Sequence, residues 1–173
     1  MHFENLQIDV ANLPSTEGLQ YESLEEDYLK VKIINHIIFF LILFGPLILF
    51  IKLNDNIDWR YGGLLIFGWL LLGIGTGIYK IKAFNFKKFA LRSKDVIYRS
   101  GLIWKKNVII PFNRIQHCEL NQGPIEKRFN LAELKIFTAG GQSSDMRIPG
   151  LRFERANQIK EYLVNQINEE PTV

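Results

Sequence analysis

The chain has 173 residues, 47% of them hydrophobic and 23% charged, with a formal net charge of +3. Its single cysteine excludes an internal disulfide. Once two long apolar runs are set aside, about ninety residues remain, enough for one small domain and not for several. The modest net charge hides an asymmetry: residues 1–32 carry −5, whereas residues 83–168 carry +8.

In chain order, the first features are Glu22, Glu25, Glu26 and Asp27, with Ser23 three residues before Glu26 in the spacing of a capping box. That spacing predicts a helix that starts a turn or two ahead of the first apolar run, 33–51. This run and the second, 61–79, are each 19 residues long and contain no Asp, Glu, Lys or Arg. At about 1.5 Å per residue each reaches roughly 28 Å, close to the ~30 Å hydrocarbon core of a bilayer. The first run is not read as a signal peptide, because acids and not a basic n-region precede it and no small-residue cleavage site follows. The connection from Lys52 to Arg60 is short, polar and rich in turn formers, so the runs are expected to form an antiparallel transmembrane hairpin.

Orientation follows from the basic residues. Lys80, Lys82, Lys87, Lys88, Arg92 and Lys94 follow the second run, and Lys30 and Lys32 precede the first, against only Lys52 and Arg60 in the connection. The positive-inside bias therefore places both termini in the cytoplasm, in a multi-pass protein of the cytoplasmic (inner) membrane. Asn35 and His36 lie in the first turn of the apolar run, where water is within reach, so local polar contacts compete with a proton relay or metal ligand. Gly73 and Gly77 have the small-xxx-small spacing that admits a close helix, either the first span or a partner subunit. Gly45-Pro46 predicts a kink in the first span.

After the hairpin, short stretches rich in β-branched and aromatic residues occur at 84–91, 96–100, 102–110, 115–120, 132–138 and 146–148. Phe84 and Phe86 are out of phase with Phe89 and Leu91, which points to a bulge near Lys87-Lys88. Beyond a Pro149-Gly150 break, Ala156, Ile159, Leu163 and Ile167 form a helical stripe. The expected architecture is a membrane α-helical hairpin plus a mainly β, antiparallel barrel of six or seven strands closed by a C-terminal amphipathic helix. The segments are a cytoplasmic N-terminal segment 1–32, the hairpin 33–81, the β domain 82–168 and a tail 169–173.

The stretch from Ile110 through Arg114, Gln116, Gln122, Gly123, Pro124 and Arg128 to Leu134, followed by Thr138-Ala-Gly-Gly and Ile148-Pro-Gly-Leu151, carries a specific resemblance. It resembles the bacterial pleckstrin-homology (PH) domain of YdbS-like membrane proteins, and the likeness covers residues 13–163, including the hairpin. The resemblance implies a PH-like fold, a bent antiparallel barrel with a C-terminal helix. It implies little biochemistry, because a fold alone does not set function. Arg114, Gln116, Gln122 and Arg128 within the signature are read either as contacts that shape the connection or as an exposed recognition surface.

Catalytic motifs are sparse. Gly140-Gly141 lies between strand-like runs and reads as a turn, not as a phosphate loop. His117 is beside Cys118, but neighbouring strand residues point to opposite faces, which argues against thiol activation. No zinc cluster, Walker loop or dinucleotide motif occurs, so neither cofactor nor metal is expected. Lys87, Lys88, Arg92 and Lys94, with Arg99 nearby and Lys105 and Lys106 on the next strand, form a basic concentration. Diffuse attraction to an anionic leaflet and recognition of one head group are both open for it. Nucleic acid is not expected, since most aromatics fall in apolar-patterned strands.

These observations lead to a non-enzymatic, membrane-anchored PH-like module that assembles with a membrane-protein partner or with itself at the inner face. An anionic-lipid-responsive module and an accessory subunit of a transporter are the alternatives. The topology has a direct test: reporter fusions at the 52–60 connection and at the C-terminus should give opposite signals. An exported C-terminal reporter overturns the assignment.

Overall fold

In a computed structural model the protein is described over residues 19–54, 58–139 and 145–169. Two helices, α1 (Glu26–Leu53) and α2 (Trp59–Phe84), come first in the described chain after a two-residue strand, β1 (Glu22–Ser23). Both helices extend beyond the apolar runs. The expected nine-residue connection shrinks to 54–58, of which 55–57 lie outside the described residues. The most apolar stretch of each helix packs no residue inside the protein, and side chains such as Leu41, Ile42, Leu64 and Phe67 face outward. Such unburied apolar length is what a bilayer, and not water, accommodates.

The remainder is β2 (Lys88–Leu91), β3 (Asp95–Ser100), β4 (Lys106–Pro111), a 3-10 turn (Phe112–Arg114), β5 (Ile115–Asn121), α3 (Pro124–Arg128), β6 (Leu131–Thr138), β7 (Met146–Arg152) and α4 (Phe153–Glu169). The strands form two antiparallel sheets, β1-β2-β3-β4 and β5-β6-β7, which are not closed into one hydrogen-bonded barrel. Alternation along β6 buries Leu134 and Ile136 and leaves Glu133 and Lys135 half-buried on the other face. On α4, Ala156, Ile159 and Leu163 are buried and Ile167 packs beside them, the stripe legible in the sequence. The helix covers β5, β6 and β7. The architecture is PH-like, a pair of packed sheets with a C-terminal helix, carried on a helical hairpin.

Several local expectations change. Ser23 does not cap α1, because its backbone pairs with Lys88 as part of β1 and the helix cap falls at Glu25 without a side-chain hydrogen bond. Phe84 and Phe86 are out of phase because α2 continues to Phe84 and the chain turns before β2, not because of a strand bulge. Pro149-Gly150 does not end the strand. It is a bulge within β7, two residues opposing Glu133 between the pairs Ala132↔Leu151 and Leu134↔Ile148. A second bulge places Gln116 as the extra residue of β5 between the pairs Ile115↔Thr138 and His117↔Phe137.

The boundary expected at residue 32 is also not a structural one. Leu24, Tyr28 and Val31 lie 4 and 3 residues apart on the chain, and all three are buried in the core of the β domain. Each such side chain contributes roughly 1.5–3 kcal/mol of burial. The amide of Glu25 donates to Gly150 O at 3.1 Å, and the Tyr28 ring lies 6.5 Å from that of Phe84 at the end of α2. Gly150 has φ +67°, and a β-carbon there would fall 2.3 Å from Tyr28 Cγ. The bulge therefore admits only glycine, and Tyr28 occupies the space a side chain would take.

Gly150→Ala should destabilise the full chain in mild detergent by about 2–3 kcal/mol, from left-handed backbone strain plus the displaced tyrosine. Gly63→Ala, where nothing lies within 4 Å, serves as the neutral control. Equal unfolding temperatures for the two variants contradict this account.

Candidate functional site

The basic residues singled out after the second span do not share one surface. Lys88 stands opposite Arg99 in the β2–β3 ladder, at the end nearest α2. Arg92 and Lys94 lie at the far turn of that hairpin, about 13 Å along the strand at ~3.3 Å per residue. There Arg92 donates through Nε to Asp95 at 2.6 Å and forms a second bond from its terminal nitrogen. That contact holds the guanidinium pKa above its usual value and neutralises the charge locally. The carbonyl of Lys94 accepts from the amide of Phe112 at 3.0 Å. Lys87 turns toward the helices, where it meets Lys32, whose ammonium lies 5.5 Å over the Tyr28 ring.

The signature residues are dispersed around the second sheet. Gln122 Nε2 donates to Leu131 O at 2.8 Å, and the Gly123 amide donates to Glu126 Oε2 at 2.7 Å, with Pro124 opening α3. Together these bonds shape the β5–β6 connection, and Asn130 completes it in a left-handed conformation at φ 53°. The carbonyl of Arg114 accepts from the Ala139 amide at 3.2 Å, while the side chains of Arg114, Gln116 and Arg128 are exposed. The signature thus divides into a turn-forming part, Gln122, Gly123 and Pro124, and three outward polar side chains. Gly140 and Gly141 lie outside the described residues.

The helix pair holds a polar layer that the sequence reading treated as two unrelated features. Gly73 and Gly77 face α1: the β-carbon positions would lie 3.2 Å from Phe40 and 3.5 Å from His36. His36 is buried, with Nε2 2.9 Å from Gly73 O and Nδ1 2.9 Å from Lys80 Nζ. A lysine ammonium has only donors, so Nδ1 accepts and the ring proton resides on Nε2, which donates to the carbonyl. The spacing of His36 from Lys80 across two helices carried no signal in a linear reading. Asn35 points outward.

His117 and Cys118 face apart as expected. The imidazole stacks on Phe137 with ring centroids 4.2 Å apart, and Nε2 lies 3.7 Å from Glu119 Oε1. Cys118 is partly buried against the core, and burial pushes its thiol up to about 11. Among the described residues no group of three or more His, Cys, Asp or Glu is arranged to hold a metal ion.

Comparison with known proteins agrees with this architecture. The family model for the bacterial PH domain matches residues 36–167. The chain belongs to the bacterial PH domain family. It is 31% identical over 142 residues to the UPF0699 transmembrane protein YdbS of Bacillus subtilis, covering 80% of this chain and 87% of that protein. It is 30% identical over 112 residues to the UPF0699 transmembrane protein YdbT of the same organism, covering 62% of this chain but only 22% of that longer protein. No solved structure matches. Family and names together identify a YdbS-like, membrane-associated PH module and point away from catalysis.

The thiol has a measurable consequence. With its thiol pushed up to about 11, Cys118 is almost wholly neutral at pH 7.5, so alkylation of the folded chain should be slow there and rise about tenfold per pH unit toward 11. In denaturant the thiol returns to an ordinary pKa and should react roughly a hundredfold faster. Rapid alkylation of the folded protein at neutral pH contradicts the burial argument.

Proposed function

We propose that this membrane-associated PH-like protein is a non-enzymatic scaffold that holds a membrane-protein partner at the inner face of the cytoplasmic membrane. The observation that carries the reading is the way α1 is shared between hairpin and domain. Leu24, Tyr28 and Val31 anchor its base in the β core, and only 85–87 separate α2 from β2. The domain is therefore a stiff extension of the two helices. A partner gripped on the helices is held in a fixed position relative to the β domain without the entropic cost of ordering a linker.

The hairpin also has a place for such a partner. His36, Phe40, Phe44, Trp69, Gly73 and Ile74 line an apolar groove of about 360 Å³ between the helices. Within it Phe40 packs against Trp69, with ring centroids 4.9 Å apart and planes tilted by 49°. A third apolar helix packs in such a groove by close van der Waals contact, the main attraction between helices in lipid. The occupant is a span of another membrane protein or of a second copy, and a transporter to which this chain is an accessory is one instance of the former.

A photoreactive residue introduced at Ile74 in the intact protein, in its native membrane, should cross-link to one discrete membrane protein or to a second copy of the chain. The same probe at Leu49 reports background. Equal, diffuse labelling at both positions, with lipid as the sole adduct, defeats the scaffold reading.

A further inference from the structure

We infer that the cavity between the α2–β2 turn and the β3–β4 loop binds the phosphate of an anionic phospholipid, with Ile103 and Trp104 immersed in the bilayer beside it. The cavity, about 310 Å³, is lined by Asn85, Phe86, Lys88, Arg99, Ser100, Gly101 and Lys105. Three of these are cations and none is an acid. Lys88 and Arg99 are directly opposed across the β2–β3 ladder, an arrangement that repels unless an anion sits between or beside them. Arg92, by contrast, is satisfied by Asp95 at the other end of the same hairpin. The lining combines an ammonium pair, a guanidinium, a hydroxyl and an amide, the donors that a phosphate accepts from.

Position selects a lipid phosphate over a soluble one. Asn85 and Phe86 directly follow the last residue of α2, about 9 Å of helix beyond Tyr79 where the apolar run ends, so the cavity opens on the headgroup side of the apolar layer. The register brings the β3–β4 loop to the same end, because Ser100 pairs with Lys106 while Arg99 pairs with Lys88. At the tip of this loop Ile103 is 67% and Trp104 84% exposed, with Phe86 also outward. Two large apolar side chains held in water beside three cations are unfavourable. At the headgroup level the same arrangement is favourable, with the indole in its preferred interfacial zone and the cations at the phosphates. Gly101 makes the loop tight enough to do this: its φ is +102°, and a β-carbon would lie 1.9 Å from Trp104 O.

The inference goes beyond the scaffold reading and rests only on the two helices crossing the bilayer. Its test uses the full chain in neutral detergent, titrated with phosphatidylglycerol, phosphatidylcholine or inorganic phosphate and read by native mass spectrometry. Phosphatidylglycerol should be retained at least tenfold better than phosphatidylcholine, and inorganic phosphate should not displace it. The combined Lys88→Gln, Arg99→Gln, Lys105→Gln variant should lose about a hundredfold in phosphatidylglycerol affinity, roughly fivefold per cation. Lys94→Gln, at the far turn, should change it less than twofold.

Equal retention of the two lipids, or capture of inorganic phosphate in preference to either, overturns the proposal. If the triple variant does not fold, Arg99→Gln alone and a second measurement on otherwise intact protein decide. With Trp59→Phe and Trp69→Phe leaving Trp104 as the fluorophore, lipids brominated near the headgroup should quench its emission in phosphatidylglycerol nanodiscs. An unquenched Trp104 overturns the proposal. High-pH extraction separates the two failures: a chain that remains embedded yet shows no lipid preference refutes this site alone, whereas a chain washed off refutes the spanning hairpin as well.

Discussion

The contact on which the rest of the molecule depends is between Tyr28 and the backbone of Gly150. A left-handed residue in a strand bulge removes one side chain from the surface of β7 and leaves a slot, and the first helix places an aromatic ring in it. Because α1 is a continuous helix from Glu26 to Leu53, this contact fixes the axis of the first apolar helix to the sheet. Phe84, at the end of the second helix, meets the same tyrosine. Both connections between hairpin and domain thus converge on one aromatic pair, where a flexible tether would leave the domain free to tumble at the membrane surface.

Charge reinforces that geometry more through its distribution than through its strength. The acids around the start of α1 are partly matched by the β domain: Arg152 approaches Glu25 and Asp27 at 3.3 and 3.4 Å, and Arg155 approaches Glu22 at 3.2 Å. These pairs are exposed, so each contributes at most about 1 kcal/mol. Their larger effect is to use two arginines of the basic domain near the start of α1, while Lys88, Arg99 and Lys105 around the cavity have no carboxylate in its lining. The cavity where α2 ends is consequently lined by cations with no acid among them.

Inside the hairpin the residues with unusual chemistry act as packing and registry elements. Gly73 and Gly77 let Phe40 and His36 approach the second helix, and His36 in turn bridges Gly73 O and Lys80. A buried imidazole with both nitrogens engaged sets the height of one helix against the other, because a shift by one turn takes Nδ1 away from Lys80. The Phe40–Trp69 contact between the helices lies within the groove on which the scaffold reading depends.

The sequence by itself determined the elements whose signal is local and periodic. Two uncharged runs of bilayer length, the alternation of Ala132, Leu134 and Ile136, and the stripe Ala156, Ile159, Leu163 each declare which side of an element is apolar, and the signature between Ile110 and Leu151 carried the family. Only the tertiary structure decided what depends on pairing between distant segments. Ser23 resembled a helix cap until β2 was present to take its backbone, and Pro149-Gly150 resembled a break until Tyr28 filled the bulge. The basic hairpin read as one patch because residues near in sequence were counted together. Antiparallel pairing instead sends Arg92 and Lys94 to one end and brings Lys88, Arg99 and Lys105 to the other. Local hydropathy encodes which residues are removed from water, whereas register and close approach arise from steric fit between surfaces that do not exist until the chain has folded.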